Sequence, residues 1–258
     1  MNLEGHLRAQ REAGRKLLVP YVTGGLGSQW LDVVRAVIDS GADAVEIGIP
    51  FSDPIMDGRT IQEASQRALD LGATPVSVVE QLAELDAPVP LIVMTYYNLV
   101  AHAGHERFAE GLHASGVAAA ILPDLPLDEL DGWADAARAN DVEVVLLAAP
   151  TTTDERLRAI CAASQGFVYG VSLLGVTGER EELAAQAEQM GKRLKAITDM
   201  PVLLGVGIST PAQAAQAAAS SDGVIVGSAL VRRLLDGGGP DEARAFVATL
   251  RKALDADR

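Results

Sequence analysis

One acidic residue interrupts a short run of apolar and small residues in the first fifth of the chain. In the segment 44–49, bulky side chains alternate with small ones, and Glu46 lies on the face of small residues. A carboxylate that faces a protein interior is costly unless paired or protonated, and loss of water raises its pKa. Such a carboxyl group suits proton transfer near neutral pH. The alternative is a structural glutamate paired with an arginine or with backbone.

The loop after this segment holds two more carboxylates. Residues 50–60 read Pro-Phe-Ser-Asp-Pro-Ile-Met-Asp-Gly-Arg-Thr, in which proline and glycine favour turns. Asp57 is a candidate second acid or base, if the loop reaches over the same opening as Glu46. Alternatively, Asp57 is an ordinary solvated loop aspartate or a helix N-cap. Asp53 is interpreted as a turn or interface residue.

Aromatic side chains are scarce, with 4 Tyr, 4 Phe and 2 Trp, so each position is informative. Five of them fall at or just after the ends of predicted strands: Tyr21, Phe51, Tyr96, Tyr97 and Tyr169. This grouping predicts a pocket for a flat apolar ligand. Ordinary aromatic packing is the alternative for any one of them.

The remaining reactive residue types narrow the chemistry. No lysine lies at the C-terminal end of a predicted strand, which argues against a Schiff-base nucleophile. The histidines of one helical segment, His102, His105 and His113, are interpreted as a solvated face rather than a metal site. Cys161 is interpreted as a core residue of a helix. The sequence therefore predicts acid–base chemistry by carboxylates, without metal or cofactor.

Eight short apolar runs, separated by helix-periodic segments, must position these residues. The predicted strands are 16–22, 44–49, 91–96, 118–122, 143–147, 167–171, 202–206 and 223–226. Helix starts are predicted at Thr152 with Glu155, and at Thr210-Pro211 with Gln213. Phe246, Val247, Leu250 and Leu254 define one face of a final helix. Eight strands and about eight helices in this length favour a closed (β/α)₈ barrel over a doubly wound sheet, since no G-x-G-x-x-G follows the first strand.

In such barrels the active site lies at the C-terminal ends of the strands. Glycine turns follow the seventh and eighth predicted strands, at 205–209 and at Gly227-Ser228. Backbone N–H groups and a short helix N-terminus at these loops predict a phosphate site.

Composition excludes several classes of protein. The chain has 258 residues and a formal net charge of −14, which disfavours nucleic acid and anionic membranes as partners. With a single cysteine, no intrachain disulfide can form. We expect one barrel domain over residues 1–258, with an extra N-terminal helix and a C-terminal helix. We find no secretory signal or long apolar run, and expect a soluble cytoplasmic protein.

The motifs, taken in order over essentially the whole chain, resemble the tryptophan synthase α subunit family. The most specific are Glu-Ile-Gly-Ile-Pro-Phe-Ser-Asp-Pro at 46–54 and Gly-Val-Thr-Gly at 175–178; the others lie at 19–25, 57–58, 96–98, 123–126, 205–209 and 227–229. The resemblance implies a barrel that cleaves indole-3-glycerol phosphate into indole and glyceraldehyde 3-phosphate by a retro-aldol reaction.

The resemblance also implies roles for individual residues. Glu46 would protonate indole C3 and help to deprotonate the glycerol hydroxyl, Asp57 would bind the indole N–H, and Tyr169 would lie near the scissile bond. The implied phosphate binders are Gly178, Gly207, Gly227 and Ser228. The implied pocket residues are Tyr21, Met94, Tyr96, Thr177 and Val206. A mobile lid is implied from Gly175 to about Glu188, with Thr177 closing near Asp57.

Family members typically work with a pyridoxal-phosphate β subunit in an α₂β₂ complex; Asp53, Asn98 and Asp124 match interface positions. Two alternatives stay open within the family: a stand-alone lyase that releases indole, and a mainly regulatory α-like subunit. Another phosphosugar barrel enzyme, such as an isomerase or epimerase, is a further alternative. Three positions depart from the usual pattern: Arg59 replaces a proline, Val206 a phenylalanine and Gly170 a bulkier residue.

Overall fold

The computed structural model describes residues 1–171, 180–205 and 207–256, with the side chains of 180–184 excepted. Its strands are β1 (Leu17–Thr23), β2 (Val45–Gly48), β3 (Leu91–Met94), β4 (Val117–Ile121), β5 (Glu143–Ala148), β6 (Val168–Val171), β7 (Val202–Gly205) and β8 (Gly223–Val226). They pair in parallel in chain order, and β8 pairs with β1 to close a barrel. Each strand begins and ends within two residues of its prediction, so the predicted (β/α)₈ barrel is confirmed.

The helices surround this barrel and extend it. They are α1 (Leu3–Glu12), α2 (Trp30–Asp39), α3 (Arg59–Asp70), α4 (Pro75–Leu82), α5 (Tyr97–Ala103), α6 (His105–Ala114), α7 (Asp131–Ala139), α8 (Asp154–Ala163), α9 (Arg180–Lys195), α10 (Pro211–Ala218), α11 (Ser228–Leu235) and α12 (Pro240–Leu254). A 3₁₀ turn covers Leu127–Glu129. Among the helices described, none is both long and apolar enough to cross a membrane.

Of the two predicted helix caps, one is confirmed and one is wrong. Thr210 and Gln213 form the predicted reciprocal capping box at the start of α10, with Pro211 in its first turn. At α8 the predicted Thr152 cap is wrong. The cap is Thr153, whose side chain accepts the Arg156 N–H. Two adjacent threonines offer the same chemistry, and only the path of the chain decides which hydroxyl faces the helix end.

The predicted face of the last helix is confirmed, since Phe246, Val247, Leu250 and Leu254 are all buried. Helix α12 packs against α2 and α10 and so completes the helical ring. Arg251 fastens it to the barrel, donating to the Lys16 carbonyl at 2.8 Å and to the buried Asp43 carboxylate at 3.2 Å. Cys161 is buried in α8, as predicted.

Helix α1 closes the barrel at the N-terminal ends of the strands. Leu3 and Leu7 are fully buried and join the cluster of apolar side chains inside the barrel. Glu143, the first residue of β5, accepts hydrogen bonds from the Leu3 and Glu4 N–H groups at the start of the helix. The predicted extra N-terminal helix therefore acts as a plug, which leaves the opposite end open for a site.

Replacing Leu7 by alanine tests this role of α1. We expect the free energy of unfolding to fall by about 2–5 kcal/mol, because a fully buried leucine leaves a cavity between α1 and the barrel floor. Urea unfolding followed by circular dichroism measures the loss. A loss smaller than that of an ordinary surface substitution would show that α1 does not complete the core.

Candidate active site

Glu46 lies inside the barrel on β2, as the alternation predicts. It is only 1% exposed, while Ile47 and Val45 pack outwards against the helices. Among the described residues Glu46 forms no ion pair, and its Oε2 has no hydrogen-bond partner. Burial, reinforced by the nearby Asp57 carboxylate, raises its pKa to about 8. A glutamate paired with an arginine would have a lowered pKa, and among the described residues Glu46 has no such partner. The alternative of a structural ion pair therefore does not fit.

Asp57 lies in the loop between β2 and α3 and is half-buried. Its N–H donates to the Pro54 carbonyl at 3.1 Å, and its own carbonyl accepts from the Gln62 side chain at 2.9 Å, so the loop is held at both ends. Burial raises the pKa of the Asp57 carboxyl to about 6, while a hydrogen bond from Tyr96 opposes that shift. Asp57 therefore acts electrostatically on Glu46 rather than pointing away into solvent.

Tyr96 and Phe51 form one wall of the mouth. Their rings stack with centroids 5.0 Å apart and planes inclined by 26°. The Tyr96 hydroxyl accepts the Met56 N–H at 2.9 Å and interacts with the Asp57 carboxylate. The aromatic wall thus fixes the loop that carries Asp57.

Tyr21 and Tyr169 lean over glycines of the neighbouring strands. A Cβ atom at Gly48 would collide with the Tyr21 hydroxyl and ring, and one at Gly205 would lie 2.5 Å from the Tyr169 ring. Glycine is therefore required at both positions, because the rings occupy the space of a side chain. Both tyrosines have pKa values raised by burial and by the carboxylates of the site, so both hydroxyls keep their protons.

The predicted phosphate turns lie at the same end of the barrel. Gly207 follows β7 with a φ of 72°, a conformation that favours glycine. Gly227 ends the eighth turn as the N-cap residue of α11, and Ser228 is the first residue of that helix. Among the described residues no side chain caps α11, so the first N–H groups of this helix are available to an anion. A Cβ atom at Gly227 would lie 3.4 Å from the Cβ of Tyr21, so this turn lies beside Tyr21.

The remaining predicted residues divide into two groups. Met94 ends β3, half-buried between the inner cluster and the group around Tyr21. Thr177, Gly178 and Val206 lie outside the described residues, as do residues 175–179 of the predicted lid, whereas 180–188 form the start of α9. Their roles stay predictions.

The prediction that five aromatic residues meet at the mouth is wrong for Tyr97. Its ring packs outside the barrel, and its hydroxyl lies 2.9 Å from His105 Nε2. His105 is half-buried against Tyr97 and Trp133, so the predicted solvated face describes His102 and His113 but not His105. The side chains of Tyr96 and Tyr97 point in opposite directions because α5 begins between them: Tyr96 is its N-cap residue and Tyr97 its first helical residue.

The residues matched to a subunit interface lie around this end of the barrel. Asp53 and Asn98 are exposed. Asp124 is half-buried and accepts the Tyr97 N–H at 2.8 Å, which stabilises the start of α5. Its structural role is therefore a helix cap, whatever else contacts it.

Two of the departures from the family pattern have structural explanations. Gly170 faces away from the site, and a Cβ there would lie 2.6 Å from Leu204 and close to Leu194 and Met190 of α9. Its small size lets α9 approach β6. Arg59 is the first residue of α3, the position that proline favours, and it is exposed beside the Asp57 loop.

Sequence reasoning missed the two glycines, Gly48 and Gly205, that accommodate the tyrosines. It also missed Thr23, which is fully buried and whose hydroxyl approaches that of Tyr21. The available signal was an inward-facing glycine on a strand beside a tyrosine. That signal can be recognised only once the register of the neighbouring strands is known.

Together these residues form a site with two distinct ends. Two carboxyl groups that titrate near neutral pH, framed by aromatic rings, can exchange protons with a flat ring. Backbone N–H groups at the seventh and eighth turns can hold an anion. A planar substrate with a phosphate tail fits this division.

Comparisons with known proteins agree with this arrangement. Residues 7–254 match the family model described as tryptophan synthase alpha chain. The tryptophan synthase alpha chain of Streptomyces coelicolor is 42% identical over 98% of this chain and 96% of its own length. That of Halorhodospira halophila is 42% identical over 96% and 94% of the two chains.

Solved structures give the same result. A chain of Mycobacterium tuberculosis tryptophan synthase superposes with a TM-score of 0.90 at 38% identity, covering 98% of this chain and 97% of its own. The alpha subunit of Legionella pneumophila superposes with a TM-score of 0.88 at 33% identity, covering 99% of both chains. The chain described here therefore belongs to the tryptophan synthase alpha chain family, whose reaction is the cleavage of indole-3-glycerol phosphate.

Proposed function

We propose that this chain cleaves indole-3-glycerol phosphate to indole and glyceraldehyde 3-phosphate, with Glu46 and Asp57 as its acid–base pair. Tyr169 is proposed to lie near the scissile bond. The observation that carries these roles is the buried Glu46 carboxyl group, whose Oε2 has no hydrogen-bond partner among the described residues, with Asp57 in the loop that follows its strand. Burial raises the pKa of both groups. The proposal treats the whole chain as one catalytic barrel domain.

The chemistry follows from the two protonation states. Protonated Glu46 gives its proton to indole C3, which leaves positive charge on the ring nitrogen. Ionised Asp57 stabilises that charge through the indole N–H. The bond from C3 to the side chain then breaks, and its electrons return to the ring. The Glu46 carboxylate takes the proton of the side-chain hydroxyl as that carbon becomes the aldehyde, which restores the starting state.

The phosphate end anchors the substrate for this step. Gly207, Gly227 and Ser228 are proposed to bind the phosphate through backbone N–H groups, together with Gly178. A net charge of −14 repels anions at long range. Short hydrogen bonds at the start of α11 act locally and outweigh that screened repulsion.

An assay for indole release tests the activity directly. Purified chain is mixed with indole-3-glycerol phosphate, and indole and glyceraldehyde 3-phosphate are quantified together. Equal amounts of both products are expected. Isomerisation without indole would instead favour the phosphosugar isomerase alternative.

We also propose that the chain works with a tryptophan synthase β subunit in an α₂β₂ complex, and that it does so in the cytoplasm. Support comes from the solved tryptophan synthase whose chain it resembles along nearly its full length. The indole assay is repeated with a β subunit added. Faster turnover in the mixture is expected. Unchanged turnover would favour a stand-alone lyase, and an inert chain that raises β turnover would favour a regulatory subunit.

The pH dependence of indole release is expected to be bell-shaped. Activity falls at acidic pH as Asp57 is protonated, near its pKa of about 6, and at alkaline pH as Glu46 ionises, near its pKa of about 8. The two limbs describe the coupled pair rather than isolated groups. A kcat/KM profile between pH 5 and 9.5 measures both. A rate that keeps rising above pH 9 would contradict Glu46 as the acid.

A further inference from the structure

Helices α3 and α11 connect the two ends of the site. Helix α11 begins at Ser228, in the turn proposed to bind the phosphate, and α3 begins at Arg59, directly after the loop that carries Asp57. The two helices contact each other, and both contact β1. The placement of α11 against α3 therefore sets the separation between the phosphate turn and Asp57.

The loop that carries Asp57 is fastened to the first turn of α3. The Gln62 side chain donates to the Asp57 carbonyl at 2.9 Å and approaches the Pro54 carbonyl at 3.4 Å. The N–H groups of Ile61 and Gln62 donate to the Gly58 carbonyl at 2.9 and 3.0 Å. A displacement of α3 would consequently move the main chain of Asp57.

A small apolar cluster lies between the two helices and β1. Its buried members are Ile61 and Ala64 of α3, Val231 of α11 and Tyr21 of β1. Apolar contact holds the helices together but is non-directional, so it restrains sliding along the helix axes less strongly than separation. Directional contacts are needed to fix the register of α11 along α3.

Two arginines supply such contacts, one from each helix. Arg232 Nη2 of α11 donates to Glu63 Oε2 of α3 at 2.7 Å, and Thr60 Oγ1 lies 3.4 Å from the same nitrogen. Arg67 of α3 donates to the carbonyl of Leu235, the last residue of α11, at 3.2 Å. The two contacts lie about one helical turn apart on each helix, so together they oppose sliding and rotation.

We propose that Arg232 and Arg67 are positioning residues that fix α11 against α3 and thereby hold Asp57 at the correct distance from the substrate phosphate. The proposal rests on the proposed function, since it assigns the phosphate to the start of α11 and the ring N–H to Asp57. A direct phosphate contact by Arg232 is the competing role. Its guanidinium group is instead bonded to Glu63, and Asp236 lies 3.8 Å from Nη1, so two carboxylates already balance its charge.

The substitution Arg232→Met tests the proposal in the full chain. Methionine keeps an unbranched stem and a high helix propensity but removes the donors. We expect kcat for indole release to fall about three- to tenfold, because a small misplacement of a catalytic group is costly. Tm is expected to change by less than about 3 °C, since exposed ion pairs contribute little to stability.

Two further measurements separate positioning from the competing roles. The inhibition constant of inorganic phosphate is expected to change less than about twofold in Arg232→Met; a large increase would make Arg232 a phosphate ligand and overturn the proposal. In the Asp57→Asn background, Arg232→Met is expected to change kcat less than about twofold, because the group that it positions is already lost. An equal loss of kcat in both backgrounds would overturn a role through Asp57.

Hydrogen exchange of the amides in 53–62, measured by mass spectrometry without substrate, reports on the loop independently of activity. Exchange is expected to become several-fold faster in Arg232→Met. The matched control is Arg244→Met, which removes an exposed ion pair between α12 and Asp39 of α2 and should leave both kcat and this exchange unchanged. Unchanged exchange in Arg232→Met, or equal increases in the two variants, would overturn the proposal. Faster exchange in Arg232→Met alone, in a chain whose wild type releases no indole, would support the fixing of α11 against α3 and refute the proposed function.

Discussion

Replacing Glu46 by glutamine is expected to lower kcat for indole release by about 10³-fold while the fold is retained. The amide has the size of the protonated acid but cannot give a proton to carbon or take one from a hydroxyl. KM is expected to change little, because the proposed contacts with the phosphate and the ring are made by other residues. Steady-state indole release at pH 7.5 measures both constants. Near-normal turnover would refute the acid–base role of Glu46.

The same substitution is expected to raise stability, and the sign follows from the pKa. Glu46 has a folded-state pKa of about 8 against 4.5 for the exposed group, so its ionisation opposes folding as pH rises above 4.5. Glutamine removes that cost. Thermal melts should therefore show a larger gain in Tm at pH 9 than at pH 5.

Glu143→Gln is the matched control for the loss of turnover. Glu143 is also partly buried and has a raised pKa, but it lies at the closed end of the barrel under α1. We expect kcat within about twofold of wild type in this variant. An equal loss in the two variants would indicate a general effect of removing a buried glutamate.

Replacing Asp57 by asparagine is expected to lower kcat by about 10²-fold. Asparagine can still accept one hydrogen bond from the indole N–H, but it carries no charge to stabilise the protonated ring. The acidic limb of the pH profile should also disappear, which separates Asp57 from a titrating substrate phosphate. Retention of that limb would assign it to the substrate. Asp70→Asn, at the exposed far end of α3, serves as control.

The double variant Glu46→Gln/Asp57→Asn tests whether the two carboxyl groups act together. Both carboxyl groups act in the same proton-transfer step, so once one is removed the other contributes less. We therefore expect the combined loss in kcat to be well below the product of the two single losses. Purely multiplicative losses would indicate two independent contributions.

Much of the site could be predicted because the local sequence pattern determines which way a side chain points and at which end of the barrel a turn lies. Alternation in 44–49 placed Glu46 inside the barrel, and the structure shows it there. The glycine turns after the seventh and eighth strands likewise lie at the mouth, since all strands of a parallel barrel end on the same side. A short stretch of chain suffices for such inferences, because the direction of a side chain on a strand follows from its position in the alternation.

Other side-chain positions depended on where helices begin in the folded chain or on neighbours distant in sequence. The adjacent tyrosines Tyr96 and Tyr97 face opposite sides because a helix begins between them. Gly170 departs from the family pattern next to Tyr169, and the structure shows that its small size accommodates Leu204 and α9 on the outer face. The choice of Thr153 over Thr152 as a cap also follows from the path of the turn.

The sequence by itself determined the barrel, the inward face that carries Glu46 and the family to which the chain belongs. Only the tertiary structure decided that Asp57 shares the electrostatic environment of Glu46, and that the Tyr21 ring occupies the space over Gly48. The physical reason is that the direction of a side chain on a strand depends on a few consecutive residues. A pKa depends instead on how much water is excluded from the group and on the charges that lie near it in space. At this site those groups lie on or just after β1, β2, β3 and β6.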